Sequence, residues 1–259
     1  MISIVIPVWR KDVYSKVAKP WIDRQVKEFG AQLIEVSGSS IFEAHESGRQ
    51  QALHDLIMYV HDDVALIDPL NIAPAIVQAF KDRPSLGLIG PVGRGQVPTR
   101  VPWWRNPGDF YGHYLSRPNG ELHYTSAGPV RLMAQRIKNT RLAPRKWRQW
   151  AKVALVDGFC LIESKSRMNV AWDAKTFAGH WHGYDADRCL QARALGLDVM
   201  VSPWLFLHDN AGHAGYKGTD PQARDARDSR GRRIRSDGDA LWLSHLDEVN
   251  ALLAQKWRL

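Results

Sequence analysis

Residues 56–64 read LIMYVHDDV, an apolar run that ends directly in His61, Asp62 and Asp63. Five apolar residues bounded by a polar turn are typical of a buried strand. Two adjacent carboxylates at the carboxyl end of such a strand lie where open α/β sheets bind ligands, and their mutual repulsion favours a bound divalent cation. An Asp-Asp pair after a strand is also typical of a turn or helix cap, so this stretch alone leaves both interpretations open.

Strands and helices alternate on both sides of this stretch. The pattern predicts strands at Ile2 to Val8, Gln32 to Val36 and Leu86 to Ile89, and helices at Lys19 to Phe29, Ile41 to Asp55 and Pro69 to Lys81. Such alternation over the first 90 residues predicts an α/β fold with a mixed, mostly parallel sheet flanked by helices.

The alternation then stops for roughly sixty residues rich in Gly, Pro, Trp and Arg, and a loop of that length in a compact domain is usually functional. Regular structure is predicted to resume with a strand at Val153 to Ile162, a helix at Asp185 to Leu195, a strand at Asp198 to Leu207 and an amphipathic helix at about Asp239 to Lys256.

Composition excludes several classes of protein. The chain has 259 residues, of which 44% are hydrophobic and 24% charged, as in ordinary globular proteins and unlike disordered or fibrous chains. It contains no run of eighteen uncharged apolar residues, so we expect no transmembrane segment, and its first residues read as a strand rather than a signal peptide. Two cysteines in apolar surroundings, Cys160 and Cys189, do not make a disulfide framework, so we expect a cytoplasmic location.

The positive charge is concentrated in one segment. The net charge is +8, but residues 93–152 hold 12 basic and 2 acidic residues, a local balance of +10. Basic side chains interleaved with tryptophan suit a polyanion whose phosphates pair with Arg and whose bases stack on Trp. The candidate binding residues are Trp103, Trp104, Arg105, Arg145, Lys146, Trp147 and Trp150. The alternative is a solvated loop that its tryptophans anchor to the core.

Three further stretches concentrate polar residues near predicted strand and helix ends. Residues 180–187, HWHGYDAD, open a predicted helix, and this density of titratable groups suits a general base, although capping explains the carboxylates equally well. Residues 206–213, FLHDNAGH, follow a strand and make His208 a candidate metal ligand. In residues 156–161, VDGFCL, a glycine allows close approach of a ligand, or forms a simple bulge.

In this order, the strand Ile4 to Val8, HDDV, VDGFCLI, HGYDADRCLQARALGLDV and LFLH resemble the GT-A glycosyltransferases of the family-2 type. The resemblance covers about residues 1–90 and 152–213. It implies a single Rossmann-like catalytic domain over residues 1–259, with a nucleotide-binding half (1–92), a basic Trp-rich acceptor-binding insert (93–152), a catalytic half (153–213) and a C-terminal tail and helix (214–259).

The resemblance also implies a reaction. Members of this family transfer a sugar from a nucleotide diphosphate donor to an acceptor hydroxyl, with inversion at the anomeric carbon and usually with Mn²⁺ or Mg²⁺. We expect a UDP-linked donor. By matching position, Asp63 and His208 would bind the metal, and Asp185 would be the general base. The donor would lie among Pro7, Val8, Trp9, Glu35, Ser37, His61, Asp62, Asp157 and Gly158, and Tyr184 would face the acceptor.

The sequence departs from the family pattern at three places. His61 stands where the family has the first Asp of its Asp-X-Asp motif, and Tyr184 stands where it has the Glu that precedes the base. The turn after the second strand is Ser37-Gly38-Ser39 instead of an Asp-rich turn. These changes leave the identity of the nucleotide open.

For the acceptor, the basic segment predicts an anionic polymer. The sharper hypothesis is DNA with hydroxymethylated pyrimidines, as in bacteriophage genomes modified by sugar transfer, which would place the protein in a bacterial or phage-infected cell. A bacterial surface glycan or an anionic polysaccharide is the alternative acceptor. Two other classes are alternatives. One is a metal-dependent nuclease or phosphohydrolase that uses the same Asp and His residues, and the other is a nucleic-acid-binding module that keeps the fold without donor binding or catalysis.

Overall fold

The first half of the chain forms the alternating elements that the sequence predicts. In the computed structural model these are β1 (Ile2–Pro7), α1 (Lys11–Lys16), α2 (Lys19–Phe29), β2 (Gln32–Val36), α3 (Ile41–Gln51), β3 (Leu56–Val60), β4 (Val64–Asp68), α4 (Ile72–Asp82) and β5 (Leu86–Gly90). The structure describes residues 1–97, 109–117, 123–127, 133–136, 149–209 and 237–258. Strand β4 is not predicted by the sequence pattern, and α3 and α4, the helices before and after His61 to Asp63, are shorter than expected.

The second half contains more strands than the sequence predicts. They are β6 (Val92–Arg94), β7 (Phe110–Ser116), β8 (His123–Ala127), β9 (Met133–Arg136), β10 (Ala151–Val153), β11 (Leu155–Val156), β12 (Cys160–Ser164), β13 (Asp198–Val201) and β14 (Leu205–His208), with helices α5 (Tyr184–Ala194) and α6 (Asp237–Trp257). The interpretation of residues 93–152 as one long loop is therefore wrong, because the segment contributes strands to a sheet.

Two predicted strands are divided. The strand expected at Val153 to Ile162 is interrupted at Asp157 and Gly158, as the sequence suggests, and it is also broken at Ala154, between β10 and β11. The strand expected at Asp198 to Leu207 divides at Ser202 and Pro203, so that β13 and β14 join different sheets. Proline has no backbone N–H to continue a ladder, which explains the second break.

The main sheet has the strand order β10-β13-β5-β12-β3-β1-β2. Five of the seven strands point in the same direction, and β10 and β12 oppose them. Apolar side chains of α2 and α4 pack on one face, whereas α3, α5 and α6 cover the other. The predicted α/β class, with a mixed, mostly parallel sheet flanked by helices, is confirmed.

The second sheet positions the polar residues that follow β3. Its order is β11-β6-β7-β14-β4, and β8 and β9 extend from β7. Strand β14 is antiparallel to β4, with His208 opposite Val64, and the N–H of Asp209 donates to the carbonyl oxygen of Asp63 at 2.8 Å. This pairing brings the end of β14 beside the turn that carries the carboxylates.

Both cysteines are free and buried, as expected. Among the helices in the part of the chain that the structure describes, none has the length and apolar character needed to cross a membrane.

Candidate functional site

Three potential metal ligands converge at the carboxyl end of β3. One ligand atom from each of His61, Asp63 and His208 lies within 4.8 Å of the other two. The Oδ1 atom of Asp63 is 3.5 Å from Nε2 of His208, and the Asp63 side chain is fully buried. The structure therefore brings together the two residues predicted to bind a metal. It also adds His61, which the family pattern assigned to the donor.

The Asp63 carboxylate is ionised, which suits a cation. Burial alone would raise the pKa of Asp63, but the neighbouring His208, His61 and Arg10 outweigh it and hold that pKa well below its ordinary value. Among the described residues, neither oxygen of the carboxylate has a hydrogen-bond partner of ordinary geometry. An ionised carboxylate with available lone pairs beside two imidazoles is a suitable ligand set for a divalent transition metal.

Asp62 fixes the loop after β1. Its Oδ2 atom accepts hydrogen bonds from the backbone N–H groups of Trp9 at 3.2 Å and Arg10 at 2.9 Å. Its Oδ1 atom contacts the Arg10 guanidinium, whose Nη2 also lies 3.0 Å from Oδ2 of Asp63. Sequence reasoning missed Arg10, because a basic residue after a strand carries no signal until the carboxylates that it contacts are known.

The residues predicted to bind the nucleotide lie along the same edge of the main sheet. The N–H of Val8 donates to the carbonyl oxygen of Val36 at 3.1 Å, which places Ser37 next to the loop after β1. The Trp9 side chain is 41% exposed and packs edge-to-face on Trp181, with ring centroids 4.4 Å apart. Glu35 is exposed and accepts a hydrogen bond from the Tyr14 hydroxyl at 2.5 Å. Sequence reasoning did not single out Trp181.

Tyr184 connects the three potential metal ligands, His61, Asp63 and His208 (the metal triad), to the loop that carries Asp157 and Gly158. Its hydroxyl lies 2.7 Å from Nε2 of His61. A Cβ added at Gly158 would lie 2.3 Å from that hydroxyl, so the close approach of the ring requires glycine here. Asp157 accepts the N–H of Phe159 at 3.1 Å, and burial raises the pKa of Asp157. The Phe159 ring stacks on His208 with centroids 4.7 Å apart.

Asp185 lies in the first turn of α5, after Gly183 in the left-handed conformation (φ 76°). Its Oδ1 atom accepts the N–H of Ala186 at 2.8 Å, and the residue is 6% exposed. Residues four apart in a helix share a face, so Asp185 and Cys189 lie on the same side of α5. Cys189 accepts a hydrogen bond from the N–H of Val156 in β11 at 3.3 Å. Asp185 therefore lies on the side of α5 that faces β11 and the Asp157 loop.

Asp187, the second acidic residue in the first turn of α5, is occupied by structural contacts. It accepts hydrogen bonds from Gln191 at 2.9 Å and from the Trp257 indole at 2.8 Å, and it pairs with Lys256 at 2.8 Å. These contacts fasten the end of α6 to α5.

The described part of the basic segment contacts the protein itself. Trp150 packs edge-to-face on Trp204 with centroids 5.3 Å apart, and the Arg83 guanidinium lies 4.2 Å above its ring. Arg117 pairs with Asp209, Lys152 pairs with Asp198, and Arg94 is buried. These contacts match the alternative in which the segment is anchored to the core. The other predicted acceptor-binding residues of the segment, Trp103, Trp104, Arg105, Arg145, Lys146 and Trp147, lie outside the described residues.

Solved structures similar to this chain include two glycosyltransferases. A crystal structure of GalNAc-T7 with UDP, GalNAc and Mn²⁺ is 11% identical; the match covers 81% of this chain and 44% of that one, with a TM-score of 0.41. A Drosophila β1,4-galactosyltransferase 7 mutant in complex with manganese, UDP-Gal and xylobiose is 14% identical; the match covers 78% of this chain and 64% of that one, with a TM-score of 0.39. The chain thus spans less than two thirds of either protein.

Comparison of sequences gives the family. A search of curated proteins finds no match. The model of a family described as glycosyltransferase-like matches residues 24–217, a range that begins in α2 and ends beyond β14. This range includes His61 to Asp63, the Asp157 loop, the start of α5 and His208, which are four of the five motifs on which the predicted resemblance depends. The fifth, the strand Ile4 to Val8, lies before the range. The chain therefore belongs to this glycosyltransferase-like family.

Proposed function

We propose that this protein transfers a sugar from a nucleoside diphosphate donor to an acceptor hydroxyl, with a divalent cation held by Asp63, His208 and His61. The observation that carries the proposal is the convergence of these three side chains at the carboxyl end of β3. This is the edge of an α/β sheet at which ligands bind.

The ligand set also bears on the choice of metal. When bound, the cation neutralises the negative charge that develops on the leaving diphosphate. Asp63 offers ionised oxygens at neutral pH, because its neighbours His208, His61 and Arg10 hold its pKa low. Two imidazoles beside one carboxylate favour Mn²⁺ over Mg²⁺, since Mg²⁺ prefers an all-oxygen shell.

The loop after β1 would hold the donor nucleotide. Asp62 fixes its backbone at Trp9 and Arg10, and the exposed Trp9 ring offers a surface on which a nucleobase can stack. The Arg10 guanidinium beside Asp63 is placed to contact the diphosphate. Pro7, Val8, Glu35 and Ser37 would complete the nucleotide side, and Asp157 and Gly158 would border the sugar.

The transfer step is assigned to Asp185. Its carboxylate would take the proton of the acceptor hydroxyl while that oxygen forms a bond to the anomeric carbon. The bond from the anomeric carbon to the diphosphate oxygen breaks with both electrons leaving on the diphosphate. Attack from the face opposite the leaving group inverts the configuration, and Tyr184 would lie on the acceptor side.

Substitution of the base tests this step. We expect Asp185→Asn to retain the fold, while release of nucleoside diphosphate in the presence of acceptor and Mn²⁺ falls by about a hundredfold or more. Asp187→Asn is the matched control two residues along the helix: it weakens the contacts to α6 and lowers Tm, but keeps a transfer rate within a few-fold of the original protein. Near-normal transfer by Asp185→Asn would show that another group is the base.

For the acceptor we propose a hydroxymethylated pyrimidine in DNA. Support comes from the +10 balance of residues 93–152, whose strand β7 pairs with β14 so that Ser116 lies opposite His208. A base hydroxymethyl group reaches an enclosed site only if the base leaves the stack, and tryptophans of the segment could take its place. An anionic polysaccharide is the alternative acceptor.

A gel-shift titration and a donor panel distinguish these acceptors. Binding of a hydroxymethylated duplex that weakens steeply with salt, together with duplex-stimulated release of UDP from UDP-sugars, is the expected result. Lack of duplex binding at low salt would exclude DNA and leave the polysaccharide. Cleavage of nucleic acid without a nucleotide sugar would instead indicate a phosphohydrolase.

A further inference from the structure

The two residues that replace family carboxylates are in contact with each other. His61 follows β3, Tyr184 opens α5, and Nε2 of His61 lies 2.7 Å from the Tyr184 hydroxyl. His61 is one of the three converging metal ligands, and Tyr184 directly precedes the proposed base. A single hydrogen bond therefore joins the metal site to the helix that carries Asp185.

The position of the Tyr184 hydroxyl is fixed by its surroundings. The side chain is buried, and its ring lies against Gly158 so closely that a Cβ there would be 2.4 Å from two ring carbons. The rings of His45 and Phe42 lie on other sides, with centroids 5.4 Å and 6.3 Å away. A phenol held in this way spans the gap between α5 and His61 as a rigid unit, which the flexible chain of a glutamate would not do.

We propose that Tyr184 is a positioning residue that orients His61 for metal binding and couples the metal site to the start of α5. Because Nε2 of His61 contacts the Tyr184 hydroxyl, Nδ1 is the nitrogen with which His61 would bind the metal. A histidine ligand needs such a partner on its other nitrogen, because that partner sets the ring orientation and the tautomer. This inference rests on the proposed function.

The packing explains why the residues at 158, 184 and 61 depend on one another. Gly158 provides the space for the aromatic ring, the ring places the hydroxyl, and the hydroxyl holds the imidazole. A larger residue at position 158 would displace the ring and break the chain of contacts at its first step. Gly158 is thus assigned a role in positioning the metal ligand as well as in bordering the donor.

Binding of Mn²⁺ alone to the metal-free protein, measured by electron paramagnetic resonance of the free ion, tests the proposal without any transfer reaction. Tyr184→Phe keeps the ring and removes the hydroxyl, and we expect it to weaken Mn²⁺ binding by about tenfold or more. Tyr59→Phe is the matched control, because Tyr59 is equally buried and donates its hydroxyl to Glu163 at 3.0 Å. It should bind Mn²⁺ within about twofold of the original protein.

A double-substitution cycle separates positioning from a general loss of structure. If Tyr184 acts through His61, then Tyr184→Phe should weaken Mn²⁺ binding no further once His61→Ala is present. Additive effects in the cycle, or unchanged binding by Tyr184→Phe alone, would overturn the inference.

The same titration separates this inference from the proposed function. If the unsubstituted protein does not bind Mn²⁺, or if Asp63→Asn binds it equally well, the proposed metal site itself fails. If the unsubstituted protein binds Mn²⁺ and Asp63→Asn does not, but Tyr184→Phe binds it with full affinity, the metal site stands and the positioning role fails.

Discussion

The two ends of β3 carry carboxylates with opposite surroundings. Asp55, just before the strand, accepts hydrogen bonds from the Ser164 hydroxyl and the Ser166 N–H, both at 2.7 Å. Asp63, beyond the other end, has no hydrogen-bond partner of ordinary geometry among the described residues and faces two imidazoles and a guanidinium. Asp55 is held by hydrogen-bond donors, whereas Asp63 is surrounded by ionisable side chains.

Both groups have a lowered pKa, but the causes differ. At Asp55 burial raises the pKa, and the hydrogen bonds from Ser164 and Ser166 lower it by more. At Asp63 burial also raises the pKa, and His208, His61 and Arg10 lower it. A shifted pKa by itself therefore does not identify a functional site. Lone pairs that remain available to a ligand distinguish Asp63 from Asp55.

Between these ends, β3 lies beside a buried ion pair formed by Glu163 of β12 and Arg188 of α5. Glu163 and Arg188 are both fully buried and form two hydrogen bonds, at 2.7 and 2.9 Å. Tyr59 of β3 donates to the same carboxylate, and the Arg188 guanidinium lies 4.7 Å above the Trp172 ring. This cluster is charged like the metal triad, but its contacts make it structural.

The largest expected effect comes from breaking this structural cluster. Arg188→Met should lower the free energy of unfolding by about 3 kcal/mol, because the buried Glu163 loses its closest charged partner and keeps only Arg49, 3.5 Å away, and the Tyr59 hydroxyl. Urea denaturation measures the loss. Arg188→Met combined with Glu163→Leu, which removes both charges, should recover part of that loss. An unchanged free energy of unfolding in Arg188→Met would show that the ion pair does not stabilise the fold.

The next effect tests the functional end of the strand. A hundredfold excess of Mn²⁺ over its Kd should stabilise the protein by about 2.7 kcal/mol, because the ion binds the folded state. Asp63→Asn should lose this stabilisation, and Asp55→Asn, which changes the matched carboxylate at the other end, should keep it. Thermal unfolding with and without Mn²⁺ makes the comparison. Equal stabilisation of both variants would remove the distinction between the two ends.

The sequence predicts the strand that these residues flank, but only part of the site. Strands β1, β3 and β5 are nearly continuous apolar runs, buried on both faces, so local pattern suffices to predict them. The second sheet depends on pairings between distant segments, such as β4 with β14, which no local pattern reveals. The proximity of His61 to His208 depends on that packing, and the contacts of Arg10 with Asp62 and Asp63 depend on the pairing of β1 with β3, so sequence reasoning missed both.

The order of motifs nevertheless led to the correct family and to two of the three converging ligands. Asp63 follows a predicted strand, and His208 ends another, so each lies at an edge where ligand sites form. The hydrogen bond between His61 and Tyr184 could not be predicted, because two departures from a family pattern do not indicate that they touch.

A smaller effect is expected from the cation beside Asp63. Arg10→Gln should weaken binding of UDP in the presence of Mn²⁺ by about tenfold, or 1.4 kcal/mol, because the diphosphate loses a charged hydrogen-bond donor. Isothermal titration calorimetry measures the change. The control is Arg24→Gln, whose exposed guanidinium pairs with Glu28 at 2.9 Å on α2 and should not affect UDP. Equal affinity in the two variants would show that Arg10 serves only to fix the loop after β1.

The smallest effect is expected at Asp55, where a substitution should change stability and not metal binding. The pKa of Asp55 is lower in the folded state than in the unfolded state, where it is about 3.9. The stabilisation from its hydrogen bonds is therefore complete above the unfolded pKa and disappears as the pH falls through the folded pKa. Asp55→Asn should therefore lower the free energy of unfolding at pH 7 by at most about 1 kcal/mol, because the residue is exposed to water. Denaturant unfolding between about pH 5 and 3 should show a shallower decline with falling pH for the variant than for the original protein. If the two declines were parallel, the hydrogen bonds from Ser164 and Ser166 would not be what lowers this pKa, and Asp55 could no longer serve as the structural counterpart of Asp63.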